Sequence, residues 1–209
     1  IDNDICLDFF AGSGSTACAF AESSKIRTIS VQLPESIDTS KPHGKVAAKM
    51  GLITVADVTK ERMKRCFRSA GLGFAVFKLD STNINQWEPS FDNLSDILDN
   101  SVDSIKSERT SEDVLYEVLL KYGLDLTYPI TEHKLDGKTV YDVAFGSLIV
   151  CLDDGITRDA VEGIGKLKQE LDSETTRVVF KDAGFADDSV KVNAIQMLKQ
   201  YGVDDVKSI

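Results

Sequence analysis

The first third of the chain alternates short apolar runs with polar turns, and this pattern predicts a unit that mixes strands with helices. An apolar run over 5–10 is followed by a glycine-rich break over 11–15, and residues 16–22 are compatible with a helix. Residues 26–33 then alternate with β-branched side chains until Pro34 ends the run. This order predicts a β-α-β unit of a parallel sheet.

Residues 36–79 are predicted to extend this unit. The pattern indicates a loop over 36–52, a helix over 55–70 that Gly71 ends, and a third strand over 74–79. The helix has an apolar stripe that consists of Met63, Cys66, Phe67 and Ala70. Its other faces carry the basic side chains of Lys60, Arg62, Lys64, Arg65 and Arg68. A solvated charged face is the commoner interpretation, and contact with phosphates is the alternative.

The middle of the chain turns polar and acidic, which indicates a connector between two domains. We place this connector at 81–105, with one short helix at 94–98 and with Trp87 favoured as a core anchor. The predicted domains are therefore 1–80 and 106–209.

The last hundred residues return to regular patterning and predict a second α/β domain. Ser111 is expected to cap a helix that Gly123 ends, with an apolar stripe of Val114, Leu115, Val118 and Leu119. The pair Asp136-Gly137 between two strand patterns is a strong signal for a type I′ hairpin. Further elements are predicted as a strand at 147–152, a helix from Thr157 to 171, a strand at 177–180 and a helix at 188–201.

Composition agrees with a chain that folds around an apolar core. Of the 209 residues, 42% are hydrophobic and 28% are charged, with a mean hydropathy of -0.12, which is typical of globular proteins. No apolar run reaches the roughly 18 residues that span a bilayer. No targeting segment is recognised either, so we expect a cytoplasmic protein without a membrane partner.

The formal net charge of -10 is distributed unevenly along the chain. Residues 1–80 carry 11 basic and 9 acidic side chains, whereas residues 81–209 carry 13 basic and 25 acidic ones. A strongly acidic surface disfavours nucleic-acid binding, because phosphate contacts need clustered Lys and Arg. That argument applies to the second half of the chain and not to the first.

Cysteine and histidine are too sparse for a metal site to be predicted. The four cysteines, Cys6, Cys18, Cys66 and Cys151, form no CxxC pair, and the chain has only two histidines. We therefore predict free buried thiols and no metal. The acids Asp182, Asp187 and Asp188 are interpreted as caps and dipole partners of the last helix, with a metal cluster as the alternative.

The glycine-rich break is the strongest candidate for a binding site. A P-loop would need a lysine after its last glycine, and Ser15-Thr16-Ala17 has none. The spacing Gly12-x-Gly14-x-x-Ala17 fits a dinucleotide fold, but Asp8 at the end of the preceding strand would repel a pyrophosphate. Glycines permit close approach to the backbone, and the following helix offers N–H donors. This chemistry favours a cationic nucleoside such as S-adenosylmethionine, with an NAD-binding oxidoreductase fragment as the alternative.

The segment D-x-F-x-G-S-G-x-T at 8–16 resembles motif I of the amino-methyltransferases that modify DNA. The order of the segments that follow resembles the methylation (Mod) subunit of type III restriction-modification systems; these segments lie at 29–35, 57–65, 73–87, 109–117 and 179–191. The resemblance covers nearly the whole chain. It implies a DNA adenine-N6 methyltransferase, with a partial Rossmann-like S-adenosylmethionine-dependent domain followed by a smaller α/β domain.

The resemblance also implies roles for individual residues. Asp8 would lie near the methionine ammonium, and Phe10 would pack beside the cofactor. A carboxylate at the end of the second strand usually holds the ribose; the matching position is Gln32, with Glu35 three residues on, and both stay candidates. The implied cofactor-binding set is Asp8, Phe10, Ala11, Gly12, Ser13, Gly14, Thr16, Gln32 and Glu35.

The resemblance is incomplete where the catalytic motif is concerned. Enzymes of this type hold the flipped base with a D-P-P-Y-like motif, and the four prolines of this chain include no adjacent pair. The chain also lacks an initiator Met and opens in a predicted strand. We therefore expect a carboxy-terminal fragment that has no catalytic residue and is inactive alone.

Partners are likewise implied by the resemblance. DNA would be contacted through the missing amino-terminal part, and the acidic second domain would support a Mod homodimer and the docking of the restriction (Res) subunit. A non-catalytic protein-interaction module is the alternative, because the second domain shows no nucleophile, base or metal constellation.

Overall fold

A computed structural model describes residues 4–21, 26–85 and 104–209. The chain folds into two compact units, Ile1–Leu79 and Asp80–Ile209. Residues 81–85 and 104–105, which we assigned to a connector, thus belong to the second unit. The predicted short helix at 94–98 and Trp87 lie outside the described residues.

The first unit begins with the predicted β-α-β arrangement. The strands β1 (Asp4–Asp8) and β2 (Ile26–Ser30) are parallel, with Asp4 opposite Ile26 and Asp8 opposite Ser30. The helix α1 (Ser15–Ala21) connects them, and α2 (Pro42–Lys49) and α3 (Val55–Ser69) follow. The parallel pair and the helix at 55–70 are confirmed.

The core of the first unit is small and is built mainly by two helices. It consists of Ala17 and Ala21 from α1 and of Met63 and Phe67 from α3. The predicted apolar stripe is therefore the buried face of α3. The start of α3 is fixed by a capping box, in which the side chains of Thr54 and Asp57 each accept from the other residue's backbone N–H.

Two predicted elements of the first unit are wrong. The predicted loop at 36–52 contains α2, which Pro42 opens in the first-turn position that favours proline. The predicted strand at 74–79 is irregular. Its first residue, Phe74, packs edge-on against Phe67 with ring centroids 5.5 Å apart, while Leu79 is 95% exposed. An apolar run becomes a strand only when a neighbouring strand pairs with it. Here the first side chain of the run, that of Phe74, packs on α3 instead.

The prediction of free buried thiols is wrong for one pair of cysteines. Cys18 on α1 and Cys66 on α3 form a disulfide, with their Cα atoms 5.6 Å apart. Cys6 is free and partly exposed, and Cys151 is free and buried. Burial raises the pKa of the Cys151 thiol to about 11. The pairing was not foreseen because 48 residues separate the two cysteines, and only the packing of α1 on α3 brings them together.

The second unit is a mixed five-stranded sheet with helices on both faces. In chain order its elements are α4 (Ser111–Lys121), β3 (Ile130–Leu135), β4 (Lys138–Val143), β5 (Leu148–Cys151), α5 (Arg158–Leu171), β6 (Arg177–Phe180), α6 (Asp188–Gln200) and β7 (Asp205–Ser208). The sheet order is β3-β4-β5-β6-β7; β3, β4 and β5 are antiparallel neighbours, and β5, β6 and β7 are parallel.

Side-chain alternation along the strands divides the second unit's core into two layers. Val178 and Phe180 of β6 face α5 and α6, whereas Val179 between them faces α4. The predicted stripe of Val114, Leu115, Val118 and Leu119 fills the layer under α4. The α/β class predicted for this domain is confirmed.

Local signals in the second unit are mostly confirmed. Asp136 and Gly137 have φ angles of 48° and 74°, as a type I′ turn requires. Asp187 caps the last helix, since its Oδ1 accepts from the N–H of Val190 at 2.9 Å. The cap of α4, however, is Thr110 and not Ser111. Strand β7 was not predicted, because its sequence Asp-Val-Lys-Ser carries little apolar signal.

A partly buried carboxylate on α4 holds the start of the second unit. Glu117 accepts hydrogen bonds from the hydroxyl of Thr82 and from the N–H of Asn83, the latter at 2.6 Å. Burial opposes ionisation of Glu117, but these hydrogen bonds and Lys121 outweigh it and lower its pKa to about 2. The contact explains why residues 82–83 group with the second unit.

Glu117 makes the stability of the second unit depend on pH. Because its folded-state pKa lies below the ordinary 4.5, its contribution is complete above pH 4.5 and is lost as the pH falls toward about 2. We expect Glu117→Gln to flatten this part of the pH profile of the urea midpoint, and the exposed Glu112→Gln on the same helix to leave it as it is. Equal profiles for wild type and Glu117→Gln would contradict the assignment.

No helix within the described ranges is long and apolar enough to cross a membrane.

Candidate functional site

The turn between β1 and α1 is held against the end of β2 by backbone hydrogen bonds. Val31 donates its N–H to the carbonyl of Asp8 at 2.8 Å, and Ala11 donates to the carbonyl of Val31 at 3.1 Å. Gly14 then donates to the carbonyl of Ala11 at 2.7 Å and closes the turn. The predicted glycine turn is thus a defined loop at the carboxyl edge of the parallel pair, where ligands of α/β folds bind.

The two glycines of this turn have backbone conformations that other residues adopt at a cost. Gly12 has a φ of +53° and Gly14 a φ of +77°. Gly14 is also tightly packed, since a Cβ there would lie 3.2 Å from Cγ of Met63 and 3.3 Å from Cγ2 of Thr59. Gly14 therefore fixes the distance between the turn and α3.

Helix α3 supports the turn through two polar side chains that lie outside the sequence motif. The hydroxyl of Thr59 donates to the carbonyl of Gly12, and Nη1 of Arg62 donates to Oγ of Ser13 at 2.7 Å. Thr59 is 5% exposed. These residues follow the motif by more than forty positions, so only the fold reveals that they position it.

Gly14→Ala tests whether the turn depends on this close packing. We expect a loss of about 2–3 kcal/mol in the unfolding free energy of the first unit, because the strained φ and the contact with Met63 both oppose a Cβ. The control is Gly71→Ala, which has a φ of +68° but nothing within 4 Å of its Cβ. We expect it to cost about 1–2 kcal/mol. Equal losses in denaturant titrations would show that the contact with α3 contributes nothing.

The residues predicted to meet the cofactor differ in their exposure around this turn. Asp8 is the last residue of β1, and its Oδ1 accepts from the N–H of Phe10 at 3.1 Å. Asp8 is partly exposed, and Phe10 is 87% exposed. Ala11 is buried beneath the turn, and Thr16 lies in the first turn of α1. Asp8 and Phe10 are thus accessible to a ligand over the turn.

The two candidates for a ribose contact lie in different environments. Oε1 of Gln32 accepts from the N–H of Gly12 at 2.7 Å, and Nε2 of Gln32 donates to the carbonyl of Leu33 at 3.0 Å. The side chain of Gln32 therefore holds the glycine turn. Glu35 is exposed, and its backbone carbonyl accepts from the N–H of Val55 at 2.8 Å.

The basic side chains of α3 are partly neutralised by local partners. Lys60 pairs with Asp57 at 2.8 Å and Arg65 pairs with Glu61 at 2.7 Å, while Arg62 contacts Ser13. The hydrogen bonds from Lys60 and Thr54 hold the pKa of Asp57 well below its usual value. These ion pairs favour the interpretation that the basic side chains of α3 form a solvated face.

The structure therefore combines a mixed α/β fold with a supported glycine turn at a strand edge. No protein-family model matches the chain, and no curated protein matches its sequence. Among the described residues, no group of three or more His, Cys, Asp or Glu side chains is placed to hold a metal ion.

Proposed function

We propose that the edge formed by Asp8, the glycine turn and residues 32–35 binds S-adenosylmethionine. The observation that carries this proposal is the position of Asp8. Its carboxylate stands at the carboxyl end of β1, directly before a turn that two positive-φ glycines open toward a ligand. A carboxylate here attracts the ammonium and sulfonium charges of S-adenosylmethionine and repels a pyrophosphate.

The positions of three further side chains suggest how each would contribute to binding the cofactor. The exposed ring of Phe10 offers an apolar surface to the ligand, and Glu35 offers its exposed carboxylate to the ribose hydroxyls. Gln32 acts through the N–H of Gly12 and keeps the turn in its binding conformation. Glu35 is therefore the ribose residue that we favour, with Gln32 as its positioning partner.

Within the same proposal, this binding edge serves a site-specific DNA adenine-N6 methyltransferase of the type III restriction-modification class. The support is the order of the resembling segments along the chain and the α/β units that carry them. Because the 209 residues contain no D-P-P-Y-like motif, the base-binding and DNA-recognising parts would come from outside them. The acidic second unit would then support a Mod homodimer and dock a Res subunit.

Calorimetry with two ligands tests the proposed cofactor. We expect the purified chain to bind S-adenosylmethionine with a saturable heat and to bind NAD at least about tenfold more weakly, since Asp8 opposes the pyrophosphate. NAD bound as tightly as S-adenosylmethionine would favour the dinucleotide-binding alternative. Binding of neither ligand would leave the first unit as an interaction module and reject the proposal.

A further inference from the structure

A polar cavity in the second unit lies where α/β folds place ligands. It has a volume of about 280 Å³, is open to solvent on one side, and is lined by segment 105–111, the first turn of α4 and the ends of two parallel strands. Asp153 and Asp154 follow β5, and Lys181 follows β6 directly. All three residues line the cavity. Ligands of such sheets bind outside the carboxyl ends of the strands, so the position alone makes this cavity a candidate site.

Three basic side chains line this one cavity although the second unit is strongly acidic. They are Lys106, Arg109 and Lys181. Lys181 is only 8% exposed, and its ammonium pairs at 2.9 Å with Asp154, whose side chain is 78% exposed. The Asp154 side of this ion pair is open to solvent. An anion that enters the cavity can therefore take the place of Asp154 beside Lys181.

Arg109 adds a second basic side chain to the cavity wall. Its Nη1 lies 3.5 Å from Oδ2 of Asp80, and its Nη2 donates to Oγ of Ser81 at 3.3 Å. Both of these contacts are long, and the planar guanidinium of arginine is well suited to phosphate or carboxylate oxygens. Lys106 is held nearby, since its Nζ donates to the same Ser81 hydroxyl at 3.2 Å.

We propose that this cavity binds a small phosphorylated compound that also carries hydroxyl groups. The phosphate is held by Arg109, Lys106 and Lys181, and the hydroxyls donate to the carboxylates of Asp153 and Asp154. The volume lies at the lower end of ligand pockets, which fits a sugar phosphate. A nucleic-acid strand does not fit, because residues 81–209 carry 25 acidic and 13 basic side chains and this excess of negative charge repels a long polyanion.

Calorimetry on the full chain with ribose 5-phosphate, inorganic phosphate and ribose tests this proposal. We expect saturable binding of ribose 5-phosphate, weaker binding of inorganic phosphate and no binding of ribose. Arg109→Gln and Lys106→Gln should each weaken ribose 5-phosphate binding by about tenfold or more. The matched control, Arg158→Gln, removes an exposed cation of the same unit that does not line the cavity, and it should leave the affinity unchanged.

Several results would overturn the proposal. Ribose 5-phosphate that fails to bind, or that binds equally to wild type and Lys106→Gln, would reject the site. Lys106→Gln decides the matter if Arg109→Gln does not fold, since Arg109 also holds Asp80 and Ser81. Equal affinities for inorganic phosphate and ribose 5-phosphate would reject the role of the two carboxylates.

Discussion

Removing the Cys18–Cys66 disulfide is expected to destabilise the first unit by about 4 kcal/mol. A cross-link over a separation of 48 residues removes chain entropy from the unfolded state, and the chain-entropy model gives about this value for such a loop. The unit has a small core of Ala17, Ala21, Met63 and Phe67, so little other burial compensates. The double variant Cys18→Ala/Cys66→Ala should therefore exchange the amide protons of α1 and α3 much faster.

The control for this prediction is the free cysteine of β1. Cys6→Ala removes a thiol from the same unit without opening a cross-link, and exchange in α1 and α3 should stay close to wild type. Thiol titration of the unfolded chain, purified without reductant, should find two free thiols, those of Cys6 and Cys151. Four free thiols, or an exchange rate that reductant does not change, would contradict the pairing.

Phe180→Ala is expected to destabilise the second unit by about 3–5 kcal/mol. Phe180 is 1% exposed and packs between β6 and the helices α5 and α6, with its ring centroid 5.1 Å from that of Phe185. Truncation removes the apolar burial and leaves a cavity in a close-packed layer. Hydrogen exchange of the β5 and β6 amides measures the loss directly.

The same truncation at an exposed phenylalanine shows whether the loss of stability comes from buried packing or merely from a smaller side chain. Phe145 is 73% exposed in the same unit, so Phe145→Ala should change the unfolding free energy by no more than about 0.5 kcal/mol. Similar losses for Phe180→Ala and Phe145→Ala would show that the layer under α5 and α6 does not form the core.

Elements with a strong local signal were predictable from the sequence. The hairpin at Asp136-Gly137 needs two residues with positive φ, and few other pairs supply them. The stripe of Val114, Leu115, Val118 and Leu119 has the helical period, and Thr157, where the next helix was predicted to begin, is the N-cap of α5. In such elements local preference and tertiary packing agree.

Elements that depend on a distant partner were not predictable. Strand β7 has a polar sequence and exists because β6 offers it a parallel edge, whereas the apolar run at 74–79 forms no strand. In the candidate site, the motif identified Asp8 and the glycine turn. The contacts from Thr59 and Arg62 on α3, like the Cys18–Cys66 pair, arise only when α1 packs on α3.

The affinity of Asp8→Ala for S-adenosylmethionine tests the central claim most directly. The matched control is Asp4→Ala, which removes an exposed carboxylate from the opposite end of β1. We expect Asp8→Ala to weaken binding at least about tenfold, because it removes a charge-assisted contact to the ligand's ammonium, and Asp4→Ala to leave the affinity unchanged. Equal affinities for both variants and wild type would contradict the account.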